Sequence, residues 1–341
     1  MKIGMMSAWN LDAGPSIHAE LVGREWIKMG HTLLVFSFVT SDFHGTHFVG
    51  SDEHYVYRCF GTSGDLDPRP ILKSDFNCFV VQDLCMLPKD ELGKIFHHIR
   101  KKARTVNIIH DVELSKNPSF YQFDWDAIVC FDERYRGFLR EVFPKEIIHV
   151  IPYPCHPIVR TGKKEARCKL GLPEGKKILL VFGQHIKEDL EMLPAISELG
   201  RQYPILLLVV SMHVSGNIEA ENISVEVRRE APPIEKLYKY LHASDALILN
   251  RKAEKKAVIS STAHLCLGSG CPIVALDSHF FDSFKNEVLK YMGKDEFKEH
   301  IEAILQDSTE LKTLKLASED YVLKNSPEKI AERYIKLSQS L

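Results

Sequence analysis

The chain has 341 residues, which is long for a single domain, so we expect two domains with separate hydrophobic cores. Its 44 basic and 46 acidic residues leave a formal charge of -2, so no net positive field favours a nucleic-acid partner. The 8 cysteines form no Cys-x-x-Cys pair, and no apolar run reaches the roughly 20 residues of a membrane span, which together predict a cytoplasmic protein with reduced thiols.

Short apolar runs alternate with helical patterns along the first half of the chain, as is typical of βα units that build a parallel sheet. The first predicted helix opens at Gly14-Pro15-Ser16, where a proline is tolerated because first-turn N–H groups lack intrahelical partners. Val22, Trp26 and Met29 give that helix an apolar face, and Gly30 ends it. The strands predicted in this half are Lys2–Met6, Leu33–Phe38, Cys78–Gln82, Val106–His110, Ala127–Phe131 and Ile147–Ile151.

A basic helix is predicted over Lys94–Arg104, with Ile95, Phe96 and Ile99 on one side and a dense group of cations on the other. Such a helix can rest on anionic lipid, which would give a weak peripheral membrane contact. A surface helix with its apolar side against the sheet is the alternative that we favour.

A proline-rich segment separates the two halves of the chain. Ile151–Pro157 can continue neither a strand nor a helix, so we predict an N-terminal domain at 1–152 and a C-terminal domain at 153–325. The last helix, at about 326–341, is expected to pack back on the N-terminal domain. The strands predicted in the second half are Lys177–Gly183, Ile205–Val210, Ile223–Val227, Ala246–Leu249 and Pro272–Leu276. The predicted fold class is therefore α/β, with two Rossmann-like domains facing each other across a cleft.

The most informative segment leads from the strand at Ala246–Leu249 to a helix that begins with hydroxyl residues. A helix start at the carboxyl end of a parallel strand offers free backbone N–H groups and the positive end of the helix dipole. Ser260, Ser261 and Thr262 are therefore candidate ligands for a nucleoside diphosphate. Ordinary N-capping by the same hydroxyls is the alternative.

A basic loop precedes that helix. Its cations are Arg251, Lys252, Lys255 and Lys256. They could neutralise a bound diphosphate, or they could form a solvated lysine-rich surface loop. The chain carries no cluster of Asp and His with metal-ligand spacing, so we expect no metal ion.

Several segments, taken in order, follow the pattern of one known family. Gly14–His31 looks like a glycine loop, a first helix and a Gly-His turn, and Val106–Asp111 looks like a strand that ends in His-Asp. The other matching segments are Asp126–Phe131, Ile148–Pro152, Arg167–Pro173, Ile178–Gly183, Glu235–Leu249 and Gly270–Val274. Their order and spacing resemble the retaining glycosyltransferases of the GT-B fold, which use nucleoside-diphosphate sugars.

The resemblance is incomplete where that family binds its donor. The family's two donor-site glutamates fall on Ala257 and Leu265, so both carboxylates are missing. Gln184 stands where the family has an arginine, and Lys187 is the nearest match to its lysine. The resemblance adds Gly14, Gly183, Gln184, Lys187 and Glu287 to the donor-binding candidates. The helix start and the basic loop supply the others, which are Arg251, Lys255, Ser260, Ser261 and Thr262.

The resemblance also implies catalytic roles for His110 and Asp111. His110 would lie against the transferring sugar, where a neutral imidazole accepts a hydrogen bond from a hydroxyl while Asp111 fixes its tautomer. A strand-end histidine satisfied by backbone groups is the alternative. Gly14 would let the backbone approach a ligand closely, or would simply begin a helix.

The function that the resemblance implies is transfer of a hexose from a nucleoside-diphosphate sugar to an unknown acceptor, with retention and without a cofactor or metal. The acceptor would be a sugar, a lipid-linked molecule or a small molecule. Because both glutamates are missing, a non-catalytic GT-B protein that binds a glycan, a nucleotide or a protein partner is a second hypothesis. An epimerase or a phosphorylase on the same fold is a third, with no residues specific to it.

Overall fold

The computed structural model describes residues 1–39, 47–62, 64–252, 255 and 257–341, which divide into two compact units. The first unit takes its residues from Met1–Pro154, Lys255–Ser261 and Asn325–Leu341. The second contains the described residues that remain between 155 and 324. Lys256 of the predicted basic loop lies outside the described residues.

The strands are β1 (Lys2–Met6), β2 (Thr32–Phe38), β3 (Val56–Phe60), β4 (Cys78–Gln82), β5 (Arg104–Ile108), β6 (Ala127–Cys130), β7 (Ile148–Val150), β8 (Lys177–Phe182), β9 (Ile205–Val210), β10 (Ser224–Arg228), β11 (Ala246–Leu249), β12 (Ile273–Leu276) and β13 (Leu289–Tyr291). The helices are α1 (Gly14–Lys28), α2 (Arg69–Lys73), α3 (Lys89–Arg100), α4 (Glu133–Leu139), α5 (Lys163–Leu170), α6 (Ile186–Asp189), α7 (Leu193–Leu199), α8 (Ile234–Ala243), α9 (Ser261–Cys266), α10 (Lys294–Leu305), α11 (Glu310–Lys324) and α12 (Pro327–Ser340).

Each unit is built on one parallel sheet. The strand order is β3-β2-β1-β4-β5-β6-β7 in the first unit and β10-β9-β8-β11-β12-β13 in the second, and the described pairings between these strands are parallel. The inner strands are unbroken apolar runs because helices cover both faces of such a sheet, and every residue of β4 and β9 is buried. The predicted α/β class with Rossmann-like sheets is confirmed.

The C-terminal helix α12 packs on α1 within the first unit. The indole Nε1 of Trp26 donates a hydrogen bond of 3.2 Å to the carbonyl oxygen of Ala331, and both residues are buried. Pro327 occupies the first turn of α12, where its missing N–H costs nothing, and the Ser326 side chain accepts a bond from the N–H of Lys329. The C-terminal helix α12 therefore belongs to the same hydrophobic core as the N-terminal helix α1.

The helix that we expected over 94–104 is α3, which ends at Arg100, while Arg104 begins β5. Its apolar side, from Leu92 to Ile99, is buried in the core of the first unit. This is the arrangement of the surface-helix alternative, with the apolar side of α3 packed inside the unit. Among the described residues, no helix has both the length and the apolar character to cross a bilayer.

Gly268 lies in a tight turn after α9, and its missing side chain makes room for the backbone. A Cβ at Gly268 would lie 2.5 Å from the carbonyl oxygens of His156 and Pro157. We expect Gly268→Ala to lower the free energy of unfolding by about 2 kcal/mol, because backbone atoms must shift. Chemical denaturation measures this. Gly162→Ala is the control, since a Cβ there meets nothing within 4 Å, and equal stability of the two variants would contradict the prediction.

Candidate functional site

His110 follows β5 at the carboxyl edge of the first sheet, and its ring is held by the last residue of the neighbouring strand. The Nε2 atom of His110 lies 3.2 Å from Oε1 of Gln82, which is fully buried at the end of β4. The amide nitrogen of Gln82 donates to the sulfur of Met5 at 3.7 Å. Because a thioether can only accept, the amide oxygen faces His110. The Nε2–H of His110 is therefore the donor, and Nδ1 is left as an acceptor.

A second histidine, His18 of α1, packs edge-on against His110 with ring centroids 5.3 Å apart. The Nε2 atom of His18 is 3.3 Å from the hydroxyl of Tyr334 on α12. The ring of His18 also contacts the rings of Phe131 and Tyr153. Burial lowers the pKa of His18 to about 3, and the neighbouring Gln82 side chain acts in the opposite direction. Burial also holds the pKa of His110 well below its usual value, with a smaller contribution from His18. Both imidazoles are therefore neutral at pH 7.

The lowered pKa of His18 makes stability fall on acidification. An unfolded histidine takes up a proton below about pH 6.5, whereas folded His18 resists protonation down to about pH 3. This residue is fully buried, so we expect it to remove about 2 kcal/mol of stability between pH 7 and pH 5. Urea unfolding across this range would measure the loss. His18→Gln should remove this part of the slope, while the exposed control His54→Gln should keep it.

Asp111 does not hold the ring of His110 among the described contacts, contrary to the role expected for it. Neighbouring residues in an extended segment point to opposite sides, and the Asp111 carboxyl interacts with the thiol of Cys85 instead. Burial raises the pKa of Asp111, and burial together with the Asp111 charge raises the pKa of Asp83 to about 8. Asp111 thus belongs to a pair of half-buried carboxyls that follow β4 and β5, and Gln82 takes the orienting role.

Gly14 contacts protein rather than open space. A Cβ at Gly14 would lie 3.2 Å from the Oγ of Ser261, and the carbonyl oxygen of Gly14 accepts a 2.7 Å hydrogen bond from the hydroxyl of Tyr153. The missing side chain therefore makes room for Ser261, which belongs to the same unit. Gly14 also begins α1, and the described group that its missing side chain accommodates is Ser261, not a ligand.

The segment Lys255–Ser261 belongs to the first unit and contacts its other residues at several points. Lys255 forms a 2.7 Å ion pair with Glu113, and Arg134 donates a 3.0 Å hydrogen bond to the carbonyl oxygen of Val258. Ala257 is 3% exposed and lies in the core of the first unit. The position where the family has its first donor-site glutamate is therefore occupied here by a packed methyl group.

In the second unit, Gly183 follows β8 with a φ of +106°, a conformation that L side chains rarely adopt. Its carbonyl oxygen accepts a 2.6 Å hydrogen bond from the hydroxyl of Ser211, which fixes the turn. Gln184 and Lys187 are both exposed, on the turn and on α6 respectively. Lys187 forms no described ion pair, so its charge is available to an anion in solution.

Arg251, by contrast, is buried in the second unit at 3% exposure. Its guanidinium forms an ion pair with Asp189, which is fully buried, and also donates a 3.4 Å bond to the carbonyl oxygen of His185. The same carboxyl of Asp189 accepts a 2.8 Å bond from the N–H of Asn250. Arg251 therefore ties the end of β11 to the turn before α6, and its charge is already matched by a carboxylate.

The hydroxyl residues at the start of α9 differ in exposure. Ser260 is 5% exposed, while Ser261 and Thr262 are half-buried. Leu265, at the position of the family's second glutamate, is buried on the same helix. Glu287 is half-buried, and its carboxylate accepts a hydrogen bond from the backbone N–H of Lys285 in the same turn.

Gln82 of the first unit and Asp189 of the second each pair with a predicted site residue, and both are absent from the sequence-based expectations. Gln82 carries a signal that could have identified it, because Val-Val-Gln82-Asp83 and Ile-Ile-His110-Asp111 have the same pattern at the ends of two strands. Polar residues at such strand ends meet at one edge of a parallel sheet. Asp189 carries no comparable signal, since it lies within an ordinary acidic helical stretch.

No family model matches the chain, and three solved structures indicate its fold. HepE of Anabaena, in complex with UDP-glucose, matches with a TM-score of 0.70 and 12% identity over 100% of both chains. Sucrose-phosphate synthase of Thermosynechococcus elongatus matches at 0.66 and 13%, over 100% of this chain and 98% of that one. WaaG, a glycosyltransferase involved in lipopolysaccharide biosynthesis, matches at 0.62 and 11%, over 99% of each chain. Such coverage at such low identity shows the fold alone: the chain has the GT-B fold that these proteins share.

Proposed function

We propose that this protein is a glycosyltransferase that moves a hexose from a nucleoside-diphosphate sugar to an acceptor, with retention and without a metal ion. The observation that carries the proposal is the neutral imidazole of His110, which presents a free Nδ1 acceptor beside the carboxyl edge of the first sheet. The same fold holds UDP-glucose in HepE, which supports a donor of this class for this chain. Ligands of open α/β sheets bind at this edge.

His110 orients the sugar in this proposal and does not carry a proton. Its lowered pKa makes it a weak base, so it is poorly suited to deprotonate an acceptor hydroxyl. As the bond from the anomeric carbon to the phosphate oxygen breaks and the bond to the acceptor oxygen forms, the departing diphosphate becomes more basic. We assign the acceptor proton to that oxygen. Nδ1 of His110 accepts a hydrogen bond from a sugar hydroxyl and keeps the sugar in place.

Lys187 is the cation that we assign to the developing charge on the diphosphate. Arg251 is already paired with Asp189, and Lys255 is paired with Glu113, whereas Lys187 is exposed and forms no described ion pair. A cation beside a leaving phosphate stabilises the transition state more than the ground state. Gln184 and Glu287 are further candidates for donor contacts from their place in the resemblance, and Ser261 and Thr262 from their place at the start of α9.

Calorimetric titration tests the proposal. UDP, GDP, ADP and their glucose conjugates are added to the folded protein, and the mixtures are then incubated with an acceptor panel and examined by mass spectrometry. We expect one nucleotide series to bind, transfer to continue in EDTA, and Lys187→Ala to weaken diphosphate binding about tenfold. Lys164→Ala, an exposed lysine on α5, is the control. Failure of every nucleotide to bind to a folded sample would refute the proposal.

A non-catalytic GT-B protein that binds a glycan, a nucleotide or a protein partner is the second candidate. It is favoured by the two positions where the family has carboxylates, because Ala257 and Leu265 are both buried apolar residues here. A protein that had lost donor chemistry could replace both glutamates with core side chains at no cost to folding. Nucleotide binding with no turnover across the acceptor panel, and no slow donor hydrolysis, would favour this candidate over the transferase.

A further inference from the structure

Gln82 lies beside both His18 and His110, and it is the described side chain that hydrogen-bonds with a ring nitrogen of His110. Its amide oxygen accepts the Nε2–H of His110 at 3.2 Å, and its side chain acts to raise the pKa of His18 against the larger effect of burial. Its amide nitrogen is directed away from both, toward the sulfur of Met5. The side chain is fully buried, so water does not compete for these contacts.

We propose that Gln82 is a positioning residue that fixes His110 in its Nε2–H tautomer and thereby reserves Nδ1 as the acceptor for a hydroxyl of the donor sugar. The part that concerns the sugar rests on the proposed function. The part that concerns the tautomer does not depend on it.

The other neighbours of His110 do not supply a competing acceptor for its Nε2–H within the described contacts. The rings of Phe131 and Tyr153 form T-shaped contacts with the ring of His110, with centroid distances of 4.9 Å and 6.4 Å. The hydroxyl of Tyr153 donates instead to the carbonyl oxygen of Gly14. His18 presents a ring edge, and its Nε2 is engaged with Tyr334. The tautomer of His110 therefore depends on the amide oxygen of Gln82.

A neutral amide is suited to this position for an electrostatic reason. A carboxylate at residue 82 would also accept the Nε2–H, but its charge would stabilise the imidazolium form and so occupy Nδ1 with a proton. A buried glutamine fixes the tautomer and leaves the ring neutral. Among the described contacts, the titratable groups that face His110 are the imidazole of His18 on α1 and the phenol of Tyr153.

The test uses the full-length protein labelled with ¹⁵N-histidine, and long-range ¹H–¹⁵N correlation spectra that report which ring nitrogen carries the proton. The His110 signal is identified by its absence from His110→Phe. In the wild type we expect a single Nε2–H tautomer. Gln82→Met keeps the volume but removes the acceptor, and we expect mixed tautomers. Gln82→Glu keeps the acceptor, and we expect the Nε2–H tautomer with a higher pKa.

Asn107→Leu is the matched control. Asn107 is also a fully buried amide, on the adjacent strand β5, and it has no described hydrogen-bond partner, so its loss should leave the His110 tautomer unchanged. Where donor turnover is measurable, Gln82→Met should lower kcat about five- to tenfold while KM for the donor changes less. Gln82→Glu should recover activity as the pH rises.

A wild-type His110 in the Nδ1–H tautomer, or an unchanged tautomer in folded Gln82→Met, would overturn the inference whatever the activity. A changed tautomer with unchanged kcat would overturn its link to the sugar. Absence of donor binding by the wild type would refute the proposed function, while the spectra would still decide the role of Gln82.

Discussion

Arg251→Ala is expected to lower the free energy of unfolding of the second unit by about 3–5 kcal/mol, because it leaves the buried carboxyl of Asp189 without its counter-charge. One oxygen of Asp189 already lacks a partner among the described residues, so the site has little capacity to compensate. Urea unfolding monitored by circular dichroism measures the effect. Lys252→Ala is the control, since it removes a neighbouring but exposed cation that pairs with Glu191 at the surface.

The pH dependence of this loss has a defined direction. Burial raises the pKa of Asp189 to about 7 even with Arg251 beside it, and removal of the cation raises it further. A carboxyl whose folded pKa exceeds its unfolded value of about 4 loses stability as the pH rises between the two values. Below pH 7 both proteins lose stability in parallel, so the deficit of Arg251→Ala should grow as the pH rises above about 7. The double variant Arg251→Met with Asp189→Leu should recover most of the stability, because no buried charge remains.

If Arg251→Ala lowered the free energy of unfolding less than Lys252→Ala, the buried ion pair would be contradicted. Arg251 would then again be a candidate phosphate ligand. The expected loss also affects how ligand binding is tested. A weaker nucleotide affinity in Arg251→Ala would report a damaged second unit as readily as a missing phosphate contact. Lys187→Ala is the more informative variant, because Lys187 is exposed and its removal disturbs no described contact.

Much of the fold could be predicted because buried parallel strands are unbroken apolar runs. Cys78–Gln82 and Ile205–Val210 were expected with the boundaries that β4 and β9 have. Two strands were missed, β3 and β13, and both lie at sheet edges. In β3, half-buried and exposed residues precede the buried end, and β13 has three residues, so neither shows the apolar run on which the other predictions depend.

The partners of the candidate site residues could not be predicted in the same way. His110 was identified by its place at a strand end, but its orienting partner lies 28 residues earlier in the chain. Arg251 was expected to be free for a phosphate, but Asp189, 62 residues earlier, takes its charge. A sequence pattern reports local structure and burial, whereas the pairing of two polar side chains depends on which strands become neighbours in the sheet.

His110→Ala is expected to lower donor turnover about 100-fold while the dissociation constant of the nucleoside diphosphate changes less than about threefold. The imidazole is assigned to the sugar and not to the nucleotide, so its loss allows the sugar to move out of the reactive geometry. Steady-state kinetics and calorimetry measure the two quantities. His110→Asn should lose only about tenfold, because its amide oxygen can take the place of the Nδ1 acceptor.

The pH profile separates this role from that of a general base. The pKa of His110 is held well below its ordinary value by burial, so the activity of the wild type should not change near pH 6.5 through titration of this ring. His110→Asn should therefore have the same pH profile in that range. His54→Ala, an exposed histidine of the same unit, controls for the loss of any imidazole. A rise in wild-type kcat between pH 6 and pH 7 that disappears in His110→Asn would mean that the imidazole exchanges a proton during the reaction. The neutral acceptor role would then be wrong, because a ring reserved as an acceptor must already be deprotonated throughout that range.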